Sequence, residues 1–429
     1  MSNDIKTIDN RFSLEDACIY DAKSEYKDEF VGIKYENGQL RIFFPLGFTA
    51  ATTDEQRRKD VLNLIGVLTA FGDSKDSFIE NVNYSNKTEV KFPVHAYLYI
   101  IRDFLTNGYY SEKEVVYTKS QNGKINWAKT IKKIRPQLIN EQPLYLQFIT
   151  RKTNYKESEL ITLIHQYCVY ESFVKFGWIF SSFVPQKPSL SFNRALFLAV
   201  IKMKMSQTFN ENNMMLFNSM IEIIDYLDKS KETKNFYYGT QEFEYIWEGM
   251  VDSVFGEKNK KKFYPHCHWE IEGMEGFDTD DVEYSKTAMR PDSIMITNKN
   301  TEEQKIFVLD SKYYKFGITN QRNHLPMSGS IIKQIAYAEY IEQKEASGGL
   351  KNKSKAIYNA FIMPFNSNGG ETKMICKGNA WTDYKPTVAG KSYYRIRAIL
   401  LDTKYLIEHH TKNLELINGL ADLIENYGK

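Results

Sequence analysis

The periodicity of apolar residues changes along the chain, and each periodicity predicts a different kind of secondary-structure element. In the first third, short apolar runs alternate with stretches of helical spacing. Asn37-Gly38 and Asn122-Gly123 each separate two apolar runs and tolerate the positive φ angles of tight turns, so each predicts a β-hairpin. The strands predicted here are residues 30–35, 40–45, 115–118 and 124–127, and the helices are residues 53–68 and 94–105.

The middle third is predicted to be helical. Residues 158–176 carry apolar positions at helical spacing, and Gly177 is the kind of residue that closes a helix. One or two further helices are predicted between residues 192 and 226. The Lys-rich segment 229–234 is typical of a linker.

In the last third, helical and strand patterns alternate, which predicts a mixed α/β core. The predicted helices are residues 243–255, 330–343 and 405–427, and the predicted strands are residues 293–297, 306–309, 356–364 and 393–401. The whole chain is therefore predicted to be mixed α/β, with three segments. These are an N-terminal α+β region that contacts partner or DNA (1–155), a helical region (156–235) and a C-terminal core (236–429).

Length and composition narrow the class of protein. A chain of 429 residues suggests two or three domains. The four cysteines lie far apart, which is typical of a reduced protein, and no apolar run approaches the roughly 20 residues that span a bilayer. We therefore expect a cytoplasmic bacterial protein. Because the net charge is only +2, any contact with nucleic acid must come from a local patch.

One basic stretch fits that requirement. Residues 113–157 hold ten Lys or Arg against three Glu and no Asp, with Tyr and Trp between them. An ordinary solvated surface is the alternative interpretation. The candidates for contact with DNA phosphates are Lys124, Lys129, Lys132, Lys133 and Arg135.

The strongest chemical pattern lies around two apolar runs joined by the polar loop 298–305, which predict an antiparallel hairpin. If Thr297 faces Lys305, then Asp292 lies opposite Asp310 on the partner strand. Directly opposed residues have Cβ atoms about 5 Å apart, so the two carboxylates repel unless a cation sits between them. Oxygen ligands suit Mg²⁺, and we expect Mn²⁺ to substitute for it.

Lys312 completes this pattern. It follows Asp310 by two residues, which in a strand places both side chains on one face. A lysine beside a metal-bound water can orient or help to activate that water, so the three residues predict a centre that hydrolyses phosphodiester bonds. The alternative is a surface ion pair between Asp310 and Lys312 at the end of a strand.

Residues on two neighbouring helices are further candidates for the same centre. Glu244 and Glu248 are four residues apart and share a helix face, and Glu248 is the preferred additional carboxylate. Gln334 and Tyr337 are three apart on a later helix and are expected to point into the site. Ordinary packing on a helix surface is the alternative for each of them.

These motifs resemble known families. Arg290-Pro291-Asp292, residues 309–314 and residues 333–337 resemble the nuclease part of McrC-like proteins, which carry a PD-(D/E)xK motif. A second set resembles the LlaJI family of restriction endonucleases, and the resemblance extends from about residue 30 to about residue 410. That set comprises residues 44–47, 123–127, 130–131, 163–165, 176–178 and 325–337.

The resemblance implies a PD-(D/E)xK restriction-endonuclease-like core and a metal-dependent DNA endonuclease, type II or type IV-like, that acts in phage defence. By that pattern Asp292 and Asp310 hold the metal, and Lys312 is the catalytic lysine. Gln334 and Tyr337 form the downstream helix motif. The second acidic residue is Asp here, and both Asp and Glu occur at that position among such nucleases.

The resemblance also implies a McrB-like AAA+ GTPase as a separate partner. This sequence has no GxxxxGK[ST] loop, so nucleotide hydrolysis would come from that partner. A dimer through the nuclease domain is left open. Two other interpretations also stay open: a non-catalytic activator or scaffold of an AAA+ ring, and a nuclease that acts on RNA or on DNA repair intermediates.

Overall fold

The mixed α/β class is confirmed by the computed structural model. The model describes residues 14–20, 30–36, 39–72, 92–139, 142–156, 159–181, 183–229, 236–267, 288–350, 352–383 and 390–427. The strands are β1 (Cys18–Tyr20), β2 (Val31–Glu36), β3 (Gln39–Phe44), β4 (Glu112–Lys119), β5 (Lys124–Ile125), β6 (Gln137–Ile139), β7 (Gln142–Leu144), β8 (Ile149–Lys156), β9 (Phe236–Thr240), β10 (Ser293–Thr297), β11 (Lys305–Ser311), β12 (Ala356–Phe365), β13 (Met374–Ala380) and β14 (Ile396–Asp402). The helices are α1 (Leu14–Ala17), α2 (Asp54–Gly72), α3 (Val94–Asn107), α4 (Trp127–Lys133), α5 (Leu160–Phe180), α6 (Arg194–Met205), α7 (Glu211–Lys229), α8 (Phe243–Phe255), α9 (Phe316–Thr319), α10 (Ser328–Ala346), α11 (Thr403–Glu408) and α12 (Leu414–Asn426).

Two compact units make up the described chain. The helical unit is the described part of Ser85–Lys234, and the sheet unit combines the described parts of Ser13–Tyr84 and Asn235–Lys429. The units therefore do not follow the predicted division at residue 155. The physical reason is that β2 pairs with β3 on one side and with β9 on the other, which joins the two ends of the sheet unit.

The larger sheet of the sheet unit has five strands in the order β10-β11-β12-β14-β13. Its inner strands β11, β12 and β14 are parallel, while β10 and β13 run antiparallel at the two edges. Parallel strands are covered on both faces, which explains why β11 and β12 are almost continuously apolar. On one face, Ile335, Ala338 and Ile341 of α10 pack into the core.

The smaller sheet of the same unit has the order β1-β3-β2-β9. The predicted hairpin of β2 and β3 is confirmed, with Glu36 facing Gln39; the turn residues 37–38 lie outside the described residues. Gly32 on β2 faces Gly239 on β9. A Cβ on Gly32 would lie 2.2 Å from the carbonyl oxygen of Tyr238, so the close approach of these strands requires glycine.

The helical unit contains α3, α5, α6 and α7, a three-stranded sheet and a two-stranded sheet. The hairpin predicted around Asn122-Gly123 is wrong, because β8 lies between β4 and β5. Trp127, predicted to end a strand, instead begins α4. The side chain of Asn126 caps that helix by accepting from the Lys129 backbone N–H.

Several predicted boundaries also change. Helix α5 continues through Gly177 to Phe180, because the burial of Trp178 and Ile179 outweighs the roughly 1 kcal/mol cost of a mid-helix glycine. The predicted terminal helix is two helices, since α11 ends at Glu408 and Asn413 caps α12. The predicted linker 229–234 lies, beyond its first residue, outside the described residues.

Strand β13 was not predicted. It is only partly buried and contains a register shift between Cys376 and Gly378, so it lacks a strand-like alternation. None of the helices in the described part of the chain combines the length and the hydropathy that a membrane crossing requires.

Candidate active site

The predicted register of the hairpin β10–β11 is confirmed. Thr297 faces Lys305, and Ser293 faces Leu309. Asp292 immediately precedes β10, and Asp310 is the next residue after Leu309 on β11. The two acidic residues therefore meet at one end of the hairpin, where Asp292 Oδ2 accepts a hydrogen bond of 2.8 Å from the Ser311 backbone N–H.

Lys312 lies beside Asp310. Its Nζ is 2.8 Å from Asp310 Oδ2, and the Asp310 residue is only 5% exposed. The backbone N–H of Lys312 donates to the carbonyl oxygen of Ile362 on β12 at 2.9 Å. The neighbouring parallel strand thus fixes the lysine immediately after β11 ends.

Negative charge is concentrated at this end of the hairpin. Burial, together with the nearby Asp310 and Glu248 carboxylates, raises the pKa of Asp292 well above its ordinary value. Burial alone would lower the pKa of Lys312, but the Asp310 carboxylate outweighs this effect and the net shift is upward. The raised pKa favours the protonated form of Asp292 as long as no cation offsets the neighbouring negative charges.

Two carboxylates from the hairpin fit a magnesium ion. No cluster of three or more His, Cys, Asp or Glu side chains with metal-binding geometry occurs within the residues that the model describes. Mg²⁺ usually takes only one or two protein carboxylates, together with phosphate and water. Asp292, which is partly buried, and Asp310, which is buried, bring two carboxylates close together and so match that requirement.

Helix α8 supplies Glu248 to the same region. Glu244 and Glu248 both line a cavity of about 460 Å³, as their spacing on one helix face predicts. The adjacent Trp247 is fully buried, and its indole N–H lies 3.4 Å from the carbonyl oxygen of Ile362. This contact places α8 next to the strand that also fixes Lys312.

Gln334 and Tyr337 lie on α10 and reach the backbone of the two hairpin segments. The Tyr337 hydroxyl donates to the Arg290 carbonyl oxygen at 3.0 Å, and Gln334 Nε2 donates to the Val308 carbonyl oxygen at 2.7 Å. Burial first, and the Asp310 carboxylate second, raise the pKa of Tyr337, so its hydroxyl keeps its proton. Neither residue is among those that line the cavity in the described chain.

Sequence analysis missed two residues that support the centre. Lys260 Nζ donates to the Asp292 carbonyl oxygen at 2.6 Å and pairs with Asp252 at 2.7 Å. Tyr313 accepts a hydrogen bond of 2.6 Å from the Leu46 backbone N–H. The only sequence signal for Tyr313 was its position next to Lys312, and Lys260 stands in a run of lysines that is typical of a solvated surface.

The residues that line the cavity carry charges of both signs. Helix α8 contributes Glu244 and Glu248, whereas the segment after β11 contributes Lys312, Lys315 and His324. The complete lining is Leu46, Phe243, Glu244, Glu248, Ser311, Lys312, Tyr313, Tyr314, Lys315, Asn323, His324, Leu325 and Met327. All of these residues belong to the sheet unit.

The five basic residues predicted to contact phosphate belong to the helical unit instead. They lie on β5, on α4 and just after α4, and all but one are exposed. Lys129 is half-buried because its Nζ lies 3.2 Å from the centroid of the Tyr117 ring, a cation–π contact. The predicted set is Lys124, Lys129, Lys132, Lys133 and Arg135.

Comparison with known proteins places these observations in a family. The model of the LlaJI restriction endonuclease matches residues 30–380, a range that contains every predicted catalytic residue. The type II restriction enzyme BsuMI component YdjA of Bacillus subtilis (strain 168) is 24% identical over 283 residues, which cover 62% of this chain. The match spans 57% of that relative's own length. Among solved structures, a half-complex of Thermococcus gammatolerans McrB AAA+ hexamers with bound McrC matches at 12% identity and a TM-score of 0.35, covering 93% of this chain and 82% of that one.

Proposed function

The chain belongs to the LlaJI restriction endonuclease family, and from that premise we propose that it is a Mg²⁺-dependent nuclease that hydrolyses phosphodiester bonds of foreign DNA. The observation that carries the proposal is the meeting of Asp292, Asp310 and Lys312 at one end of the β10–β11 hairpin. We identify this arrangement with a PD-(D/E)xK centre, in a restriction enzyme of type II or a type IV-like system. Mn²⁺ is expected to substitute for Mg²⁺.

Each residue has a distinct role in the proposed reaction. Asp292 and Asp310 would hold the metal ion through carboxylate oxygens. When bound, the ion supplies positive charge that stabilises the phosphate oxygens in the transition state and lowers the pKa of the attacking water. Lys312, held 2.8 Å from Asp310, orients that water and places a second positive charge at the phosphate.

The remaining candidates act around these three. Glu248 adds a carboxylate on the α8 side, where it binds an outer water or the metal itself. Gln334 and Tyr337 hold the backbones of β11 and of the segment before Asp292, so they position the acidic pair. Phosphate contacts by Lys124, Lys129, Lys132, Lys133 and Arg135 remain a prediction, supported by their charge and, for all but Lys129, by their exposure.

We also propose that the nuclease works with a McrB-like AAA+ GTPase. The support is the likeness of the motifs around Asp292, Asp310 and Tyr337 to those of McrC-like proteins. A chain that only activates or scaffolds such a ring is the alternative. It predicts that nucleotide hydrolysis by the partner rises while DNA stays intact.

The decisive variant is Asp310→Asn, which keeps the size of the side chain and removes a metal ligand. Cleavage of unmethylated plasmid DNA with Mg²⁺, with and without the AAA+ protein and GTP, should fall about 100-fold or more. Asp422→Asn, at an exposed position of α12, is the matched control and should cut like wild type. Undiminished cutting by Asp310→Asn would exclude this centre.

The same assay separates the alternatives. If no combination cuts DNA while nucleotide hydrolysis still rises, the chain is a non-catalytic activator. An RNA substrate and a branched DNA substrate, assayed in parallel, decide whether duplex DNA is preferred. Loss of cutting in EDTA that is restored by Mg²⁺ or Mn²⁺ tests the metal requirement.

A further inference from the structure

His324 is a cavity-lining residue that has no role in the proposed hydrolysis. It ends the short 3-10 turn Arg322–His324 and lines the cavity together with Lys312 and Lys315. Glu244 and Glu248 of α8 also line the cavity. An anion that entered the cavity would be attracted by the two lysines and repelled by the two carboxylates.

Thr319 fixes the orientation of the His324 ring. Its Oγ1 lies 2.7 Å from His324 Nδ1, and it also accepts a bond of 3.3 Å from the Gln321 backbone N–H. Thr319 does not itself line the cavity, as far as the described chain is concerned. The Nδ1 edge of the ring therefore faces Thr319, so a contact with a molecule in the cavity would use Nε2, on the other edge.

The hydrogen bonds around Thr319 allow the His324 ring to carry a proton on Nε2. The threonine hydroxyl has two acceptors within reach, Lys315 O at 3.1 Å and His324 Nδ1 at 2.7 Å. When the hydroxyl donates to Nδ1, Nε2 carries the ring proton, and a phosphate oxygen that accepts from Nε2–H favours this arrangement.

From this geometry we infer that His324 is a substrate-binding residue whose Nε2–H donates to a phosphate oxygen of the DNA strand next to the cutting centre. The inference rests on the proposed function, because it takes DNA as the ligand. The cavity volume of about 460 Å³ lies in the range of roughly 300–1,000 Å³ that holds small ligands, so a nucleotide unit fits beside Lys312. Thr319 acts as its positioning residue.

Two substitutions separate binding of a ligand from support of the fold. The amide of Asn overlaps the Nδ1 side of a histidine, so His324→Asn keeps a partner for Thr319 but presents nothing to the cavity. The longer Gln places its amide where Nε2 was, so His324→Gln keeps a donor in the cavity. A ligand role predicts rescue by Gln, whereas a structural role predicts rescue by Asn.

The test is binding of fluorescent plasmid-derived duplex DNA to the full chain, with Ca²⁺ in place of Mg²⁺ so that cutting does not interfere. We expect about 10-fold weaker binding by His324→Asn and no more than about a 2-fold change for His324→Gln. Thr319→Val should weaken binding to an intermediate degree. His409→Asn, an exposed histidine on the same unit, should bind like wild type.

The outcomes distinguish the inference from the function on which it rests. If wild type binds no DNA, the proposed function fails. If wild type binds DNA and His324→Asn binds equally well, only the role of His324 is overturned. Equal losses in His324→Asn and His324→Gln also overturn it, because a donor in the cavity would then have no value.

Discussion

Asp292 is held by groups that come from three separate parts of the sequence. The Ser311 backbone N–H reaches its carboxylate, and Lys260 Nζ reaches its carbonyl oxygen. Tyr337 holds the carbonyl oxygen of Arg290, two residues before it. The position of this one carboxylate therefore depends on contacts that span β11, α10 and the segment after α8.

At this scale the sequence predicted part of the site. The alternation of β10 and β11, with the polar loop between them, was enough to align Asp292 with Asp310. The contact of Lys260 was not predictable, because it joins residues 32 positions apart and no local pattern encodes such a contact. A lysine within a charged run carries no signal that it points inward.

We expect Lys260→Met to weaken metal binding at the Asp292 centre. The substitution removes the hydrogen bond to the Asp292 carbonyl oxygen and leaves Asp252 without its ion-pair partner Lys260. Partners of metal ligands typically change affinity or activity about 10-fold or more, so the Mg²⁺ concentration for half-maximal cleavage should rise about 10-fold. A Mg²⁺ titration of plasmid cleavage measures this.

Two further variants make that prediction specific. Lys260→Arg should restore most of the affinity, because the guanidinium can donate to the same carbonyl oxygen. Lys261→Met removes a neighbouring exposed lysine and should leave the titration unchanged. An identical titration for Lys260→Met and Lys261→Met would show that the contact has no effect on the centre.

At the scale of elements, the loop after β3 contacts the segments that follow β11 and β14 of the larger sheet. Leu46 donates through its N–H to the Tyr313 hydroxyl at 2.6 Å and accepts through its carbonyl from Thr403 Oγ1 at 2.8 Å. Gly47 has φ 75°, and a Cβ there would lie 2.9 Å from Thr403 Oγ1. An N-terminal loop thus contacts the residue next to Lys312 and the first residue of α11.

Tyr313→Phe tests this connection. The variant keeps the ring that packs on Phe243 and Trp247 but removes the acceptor for the Leu46 N–H. The free energy of unfolding should fall by about 1 kcal/mol, and cleavage should slow several-fold because Lys312 loses a fixed neighbour. Urea unfolding and cleavage rates, compared with Tyr314→Phe, measure both effects.

Local patterns predicted most elements but not all pairings between them. The β2–β3 hairpin was found because its two strands are adjacent in sequence. The second hairpin was not, because β8 arrives from 24 residues after β5 and separates it from β4. Asn122-Gly123 does form a turn segment, with Gly123 at φ 118°, but the strands that flank it pair with a third.

At the scale of the whole molecule, the helical unit contains a buried histidine that links its stability to pH. The helical unit buries His165 of α5 completely, and its Nδ1 accepts from the Tyr110 backbone N–H at 2.9 Å. Burial lowers the pKa of His165 from 6.5 to about 4, so the folded unit holds a neutral imidazole. The stability of the helical unit therefore depends on pH through this buried histidine.

The sign of this dependence follows from proton linkage. Between pH 6.5 and pH 4 the unfolded chain binds a proton at His165 that the folded chain does not, so stability falls as the pH falls through this window. The contribution at pH 5 is about 2 kcal/mol. Urea midpoints at pH 7 and pH 5 should show this loss in wild type.

The matched variant is His165→Asn, which keeps an acceptor for the Tyr110 N–H and cannot be protonated in this range. It should be less stable than wild type at pH 7 but should lose about 2 kcal/mol less between pH 7 and pH 5. An equal acid loss in both proteins would mean that His165 does not control it.

The combination of chain segments into units was the part of the fold that the sequence could not predict. Predicted segments follow the order of the chain, whereas the sheet unit combines Ser13–Tyr84 with Asn235–Lys429. The pairing of Tyr35 with Phe236 joins these two segments, which the whole helical unit separates in the sequence. Neither strand has a residue pattern that identifies its partner, since both are short and each contains one glycine.

The strands of the smaller sheet are synthesised at widely separated times, because two of its neighbouring strands are far apart in the sequence. Strand β2 leaves the ribosome with β3 beside it, but its other edge faces β9, which is synthesised only after the helical unit. At about 5–20 residues per second, the edge waits roughly 10–40 s with its backbone groups unpaired. Asp292, Asp310 and Lys312 are synthesised later still, so the nascent chain lacks the whole proposed centre while β2 waits for β9.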